Sequence, residues 1–204
     1  QAHHMLDEPL HLNSAPMLRA VQEFHRSRID AAIAQMTAEE VVDGATIWKL
    51  YNHGFVVRTA SHTWAHDVYE GPGEMAMSNA QIDAILGQVD ALFCSHWHAD
   101  HTSSRVIRRA LELGVPVLVA QPPDWDYVSQ MKREIGFDDD GTPPPGLTIV
   151  APGSGGEIAG LEYHAYPGHQ GDLTNNVYFV EADGMTTMQT GDQSNDDDFA
   201  AWID

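Results

Sequence analysis

The chain has 204 residues, with ten lysines and arginines against thirty carboxylates and a formal charge of −20. That length suits one domain with a full core. The charge excludes nucleic acid and anionic membranes as partners unless basic residues cluster locally. The single cysteine, Cys94, excludes an intramolecular disulfide, and no apolar run approaches the ~20 residues of a membrane span. No signal peptide is visible, although the chain opens on Gln1 rather than Met. A cytoplasmic location is expected; a periplasmic or secreted one is the alternative if the chain is a processed form. With only Lys49 and Lys132 as lysines, the acidic composition also fits adaptation to high salt.

Residues 1–15 are polar and irregular, and their His3, His4 and His11 read as part of a frayed terminus. From Pro16 to Met36 a helical period appears, with Leu18, Val21, Phe24, Ile29, Ala32, Ile33 and Met36 on its inward face. Residues 16–40 are thus a helical extension to a domain spanning 45–204. Three strands follow, Thr46–Tyr51, Phe55–Thr59 and Thr63–Tyr69, the first two joined by the turn residues Asn52-His53-Gly54. His62, Trp64 and His66 alternate along the third, as ordinary strand packing would place them. Ser78 or Asn79 can cap a helix to about Gly87. The buried strand Ala91–Ser95 then leads into His96-Trp97-His98-Ala99-Asp100-His101, and Thr102-Ser103-Ser104 starts the helix carrying Arg105, Arg108 and Arg109. Those arginines read as a solvated helix face. Cys94 ends the strand and reads as a small core residue.

Val117–Ala120 is a short buried strand and Asp124–Ile135 a helix. Asp138-Asp139-Asp140 lacks the alternating spacing of a calcium loop and reads as a solvated turn, as does Asp196-Asp197-Asp198. Strands joined by turns close the chain: Leu147–Val150, Gly156–Ile158, Leu161–Tyr166, Asn176–Glu181 and Met185–Thr190. The order of strands, β/α units and strands again implies an α/β protein, an αββα sandwich of two mixed sheets with outer helices.

Four potential metal ligands, His96, His98, Asp100 and His101, sit on the strand-to-helix turn, where open α/β sheets bind ligands. In an extended segment His96 and His98 fall on the same side and can reach one cation. Asp100 and His101 follow the change of direction, so two neighbouring metals fit better than one. Further ligands must come from distant segments. Gly168-His169 and Thr190-Gly191-Asp192 lie at strand ends, each with a glycine that lets the backbone come close.

His96-x-His98-x-Asp100-His101, Gly168-His169 and Thr190-Gly191-Asp192, in this order and with these gaps, resemble the metallo-β-lactamase superfamily over roughly Ala45 to Asp192. Gly54-Phe55-Val56-Val57, His169-Gln170-Gly171-Asp172 and Asn175-Asn176-Val177-Tyr178 resemble its ascorbate-6-phosphate lactonase-like branch. The resemblance implies that His96, His98 and His169 bind a first metal, that Asp100 and His101 bind a second, and that Asp192 bridges them. Asp67 matches the family's first motif, an aspartate with a structural role. The family's last ligand is a histidine after the bridging aspartate. No histidine follows His169 here, and the usual final strand and helix are missing as well. Truncation or cleavage is the expected reason; a second chain or a degenerate second site are the other two.

Imidazole and carboxylate ligands suit one or two Zn2+, with Mn2+ or iron also compatible. The expected activity is metal-dependent hydrolysis, in which metal-held hydroxide attacks a carbonyl or phosphoryl centre of a lactone, ester, amide or phosphodiester. Asp100 would orient that nucleophile or take its proton. Gln170, Asp172 and Asn176 are candidates for contacts with ligands or substrate, and His164, beside Tyr166 on its strand, is a weaker one. Trp97 either walls the pocket or packs beneath it. The expected partner is a small-molecule substrate, with no nucleic acid and no membrane; a homo-oligomer is compatible with the sequence. The competing readings are a non-catalytic metal-binding scaffold and a phosphodiesterase or nuclease of the same superfamily. The acidic charge opposes the nuclease.

Overall fold

The apolar runs Ala91–Cys94 and Val117–Ala120 are buried at every position. Strands with this pattern are covered on both faces, and the computed structural model, which describes residues 17–194, shows what covers them. Residues 1–15, with their histidines, and the Asp196–Asp198 run lie outside the described residues. Strands β1 (Thr46–Lys49), β2 (Phe55–Arg58), β3 (Thr63–His66), β4 (Ala91–Cys94), β5 (Val117–Ala120) and β6 (Leu147–Val150) form one sheet in chain order. The β1–β2–β3 pairings are antiparallel, and β3 through β6 are parallel. Strands β7 (Gly155–Ile158), β8 (Leu161–Gln170), β9 (Leu173–Ala182) and β10 (Met185–Gln189) form a second sheet by successive hairpins.

Alternation divides the first sheet's side chains between two cores. Val57, Trp64, Ala91, Phe93 and Leu118 meet Leu161, Ala165, Tyr178 and Val180 of the second sheet. Val56, Ala65, Leu92, Val117 and Val119 meet the helices. Those are α1 (Arg19–Ala38), α2 (Asn79–Leu86), α3 (Ser104–Glu112) and α4 (Asp126–Ile135). Each fully buried Leu, Ile or Phe in these layers contributes about 1.5–3 kcal/mol. Among the described residues no helix is long and apolar enough to cross a membrane.

Local chemistry sets the helix starts. Ser78 accepts from the Gln81 N–H and the Gln81 side chain returns to the Ser78 N–H, a reciprocal cap. Ser103 caps α3 through the Val106 N–H at 3.2 Å. Arg109 clasps Asp83 of α2 and Arg105 binds Asn79, so two of the three arginines tie helices together. Asp138 and Asp140 both accept from Thr142, closing their turn.

The structure differs from the expected layout in three places. The second sheet is antiparallel in all its described pairings rather than mixed. Helix α1 buries His25, Ile29 and Met36, while Leu18 and Phe24 are exposed; only its C-terminal part leans on the main core. Strand β8 does not stop at Tyr166. It runs through Pro167 to Gln170 and turns at Gly171-Asp172 into an equally long β9.

Candidate metal centre

β3 and β4 are parallel, so their carboxyl ends lie side by side. β2 runs antiparallel to β3, with Phe55 opposite His66, which brings the β1–β2 turn to the same rim. The end of β10 arrives from the second sheet: the Gln189 side chain donates to the His53 carbonyl at 3.0 Å. These four segments build the site.

Asp67 follows β3 in the left-handed region (φ 45°) and is fully buried. Its Oδ1 accepts from the Ser95 N–H at 2.7 Å; its Oδ2 accepts from the Ser95 hydroxyl at 2.8 Å and lies 3.0 Å from His101 Nδ1. Burial alone would raise its pKa. The His101 hydrogen bond and charge, with the Ser95 donors, outweigh burial and hold the carboxyl below its ordinary value. An ionised Asp67 can only accept, so His101 Nδ1 donates to it and Nε2 is left for another partner.

That Nε2 is buried and makes no hydrogen bond. It faces Asp192 Oδ1 at 3.4 Å and Asp100 Oδ2 at 4.0 Å. Burial pulls His101 down, but Asp67, then Asp192 and Asp100, more than offset this and hold its pKa above the usual histidine value. The carboxylates thus favour positive charge at this point. His96 behaves in the opposite way. Burial, then the neighbouring His101, pushes it down to about 4, so it stays a neutral donor at neutral pH. Its Nδ1 contacts the Ser95 hydroxyl at 3.0 Å and its Nε2 lies 3.0 Å from His98 Nδ1. The turn is held by Thr102, whose hydroxyl donates to the His96 carbonyl at 2.6 Å.

Among the described residues, two groups of three place ligand atoms within 4.8 Å of one another: His96, His98 and Asp192; and His53, His101 and Asp192. The paired motifs of the sequence therefore meet, and Asp192 belongs to both groups. Asp100 and His169 stand outside them. Asp100 Oδ2 accepts from Asn52 Nδ2 at 2.9 Å. His169 sits near the end of β8 opposite Thr174, its N–H donating to Gln193 Oε1 at 2.8 Å.

Gln170 donates to Asp192 Oδ2 at 2.9 Å, leaving Oδ1 to the histidines. Asn176 is buried: its N–H donates to the Ser95 carbonyl and its side chain to the Val150 carbonyl, pinning the second sheet beneath His96. Asp172 is exposed in the β8–β9 turn, and His164 is exposed against Tyr166 on the outer face of the second sheet. His164 lines a cavity of about 530 Å³ there, on residues none of which belongs to either histidine–aspartate group. Trp97 is fully buried beneath the turn, donating to the Ala120 carbonyl. Cys94 lies in the core, where burial and then the Asp67 charge push its thiol up. Trp64 and His66 are buried between the sheets.

Four participants were not visible from motif spacing: His53, Asn52, Trp125 and Tyr127. Trp125 stacks over His98 at 6.2 Å with Tyr127 beside it, both partly exposed. For His53 a signal did exist. A histidine just before β2, with β2 antiparallel to β3 and β3 parallel to β4, must stand at the rim that carries His96.

No family model matches the chain, and no curated protein matches it. Solved structures do. CmlA, a diiron β-hydroxylase from Streptomyces venezuelae, is 18% identical over 77% of this chain and 31% of its own, with a TM-score of 0.52. A variant of CmlA gives 16%, 83%, 36% and 0.51 in the same order. YhfI of Bacillus subtilis, a metallo-β-lactamase fold protein, gives 14%, 80%, 64% and 0.49. This chain spans about a third of the length of the CmlA chains it matches. The chain has the metallo-β-lactamase fold, and its candidate histidine and aspartate metal ligands lie at the rim where β3 and β4 end.

Proposed function

We propose that this protein is a metal-dependent hydrolase of a small molecule carrying a carbonyl or phosphoryl electrophile. The observation that carries this reading is His101 Nε2, buried without a hydrogen bond and facing Asp192, while Asp67 fixes the ring's other nitrogen. Zinc suits this donor set, and manganese and iron are compatible with it. A bound cation would supply Lewis acidity and lower the pKa of a coordinated water to roughly 7.

The chain's own groups account for the rest. His96 and His98 offer ring nitrogens at one side of Asp192, and His101 offers one at the other. His169 is the further nitrogen that the motif assigns to the first side. Asp100, whose Oδ2 accepts from Asn52, would hold or accept a proton from the attacking water. Trp125 and Tyr127 form an aromatic wall beside His98 for an organic substrate. Lactones, esters, amides and phosphodiesters share the electrophile this arrangement serves. The charge of −20 disfavours a nucleic-acid substrate.

The test is turnover of the purified chain, loaded separately with zinc, manganese or iron, on a panel of those four substrate classes. Iron is included because the structural neighbour CmlA is a diiron protein. Hydrolysis that chelation abolishes and metal restores is expected. Stoichiometric tight metal with no turnover on any class would contradict hydrolysis and favour a metal-binding scaffold.

A further inference from the structure

We propose that His53, from the turn between β1 and β2, is a direct metal ligand that joins His101 and Asp192 in the second of the two metal positions. This deepens the hydrolase reading and rests on it. His53 Nε2 lies 3.4 Å from Asp192 Oδ1, the same oxygen that His101 Nε2 faces at 3.4 Å. Hydrogen bonds between imidazole and carboxylate close to about 2.7–3.2 Å. Ligands at about 2.0–2.1 Å around a tetrahedral cation stand about 3.3–3.4 Å apart. Both separations therefore match shared coordination better than two hydrogen bonds.

The ring is held for that role. It stacks on His101 with centroids 4.7 Å apart and planes 22° from parallel, so the two imidazoles present their edges in the same direction. The His53 carbonyl is fixed by Gln189 of β10, three residues before Asp192. The neighbouring Asn52, in the left-handed region at φ 54°, aims its amide at Asp100. One turn thus carries a ligand for the second position and the group that orients Asp100. The side chain is 42% exposed, so cation and substrate can approach it.

The test titrates the metal-free chain with Co2+, reading equivalents bound and the visible absorption of each, for wild type, His53→Ala and His53→Phe. His53→Phe keeps an aromatic ring to stack on His101 and removes both nitrogens. Wild type is expected to take two equivalents. Both variants are expected to keep one at wild-type affinity and to weaken the other by more than about 100-fold, beyond the ~10–100-fold cost of losing a group that merely orients a ligand. Two equivalents bound by the variants with wild-type affinity and spectrum would overturn the ligand role and leave the hydrolase reading intact. A loss confined to that 10–100-fold range, or a single wild-type equivalent that His53→Phe leaves unchanged, would also overturn it. No Co2+ bound by wild type would overturn the hydrolase reading itself, and His53 with it.

Discussion

Asp67 holds the candidate site together although it belongs to neither histidine–aspartate group. It is fully buried, strained at φ 45°, and satisfies two Ser95 donors and His101 Nδ1 at once. Asp67→Ala leaves those donors unpartnered in a dry interior. Breaking a buried pair in this way costs about 3–5 kcal/mol, which urea unfolding of the metal-free variant would show; a loss within ~0.5 kcal/mol would refute the role. His66 next to it makes a separate prediction. Burial pushes its pKa down to about 4, and Trp64 Nε1 donates to its Nε2. Its folded pKa lies below the unfolded value of 6.5, so its contribution is fully present above pH 6.5 and is lost as pH falls toward 4. The full span is worth on the order of 3 kcal/mol. Urea midpoints of the metal-free chain should fall over that window and fall less in His66→Gln; parallel pH curves for the two proteins would contradict this.

The elements show which parts of this arrangement a sequence can announce. The Ala91–Cys94 strand, the turn and the Ser103 cap were legible because local patterns fix them: a continuous apolar run, then candidate ligands, then a helix start. The length of β8 was not. Pro167 and Gly168 read as a stop, yet β7 pairs β8 only along Leu161–His164, so no β7 partner requires an N–H at Pro167. His53 was hidden for another reason: its neighbours Asn52 and Gly54 explain the turn without it, and only the pairing of β2 with β3 brings it to the rim. The glycines beside the ligands were legible and are needed. A Cβ on Gly191, at φ 55°, would overlap Asn175 Oδ1 and Ser95 Oγ. Gly191→Ala should cost about 2–4 kcal/mol from the left-handed backbone and the overlap together, and should weaken metal binding through Asp192. Thermal unfolding with wild-type stability would show that the rim can open to accept a side chain.

At the scale of the whole molecule, charge and site make different demands. Thirty carboxylates repel one another, and the described basic side chains are largely occupied: Arg109 with Asp83 and Glu112, Arg105 with Asn79, Arg58 with the carbonyls of Met36 and Glu39. Raising salt from ~0.1 M to ~1 M shortens the screening length from about 10 Å to about 3 Å, so the melting temperature should rise with sodium chloride. A flat or falling response would contradict adaptation to high salt. The site gathers negative charge as well, with Asp67, Asp100 and Asp192 around one histidine, and a cation bound at its centre would answer that excess. The most direct measurement is metal per chain by elemental analysis, after dialysis against metal-free buffer, for wild type and for the His96→Ala/His98→Ala double variant. Wild type should retain at least one divalent metal per chain, and the double variant should retain less than wild type without change in far-ultraviolet circular dichroism. A wild-type chain that retains none, or a double variant that retains as much, would contradict the metal centre.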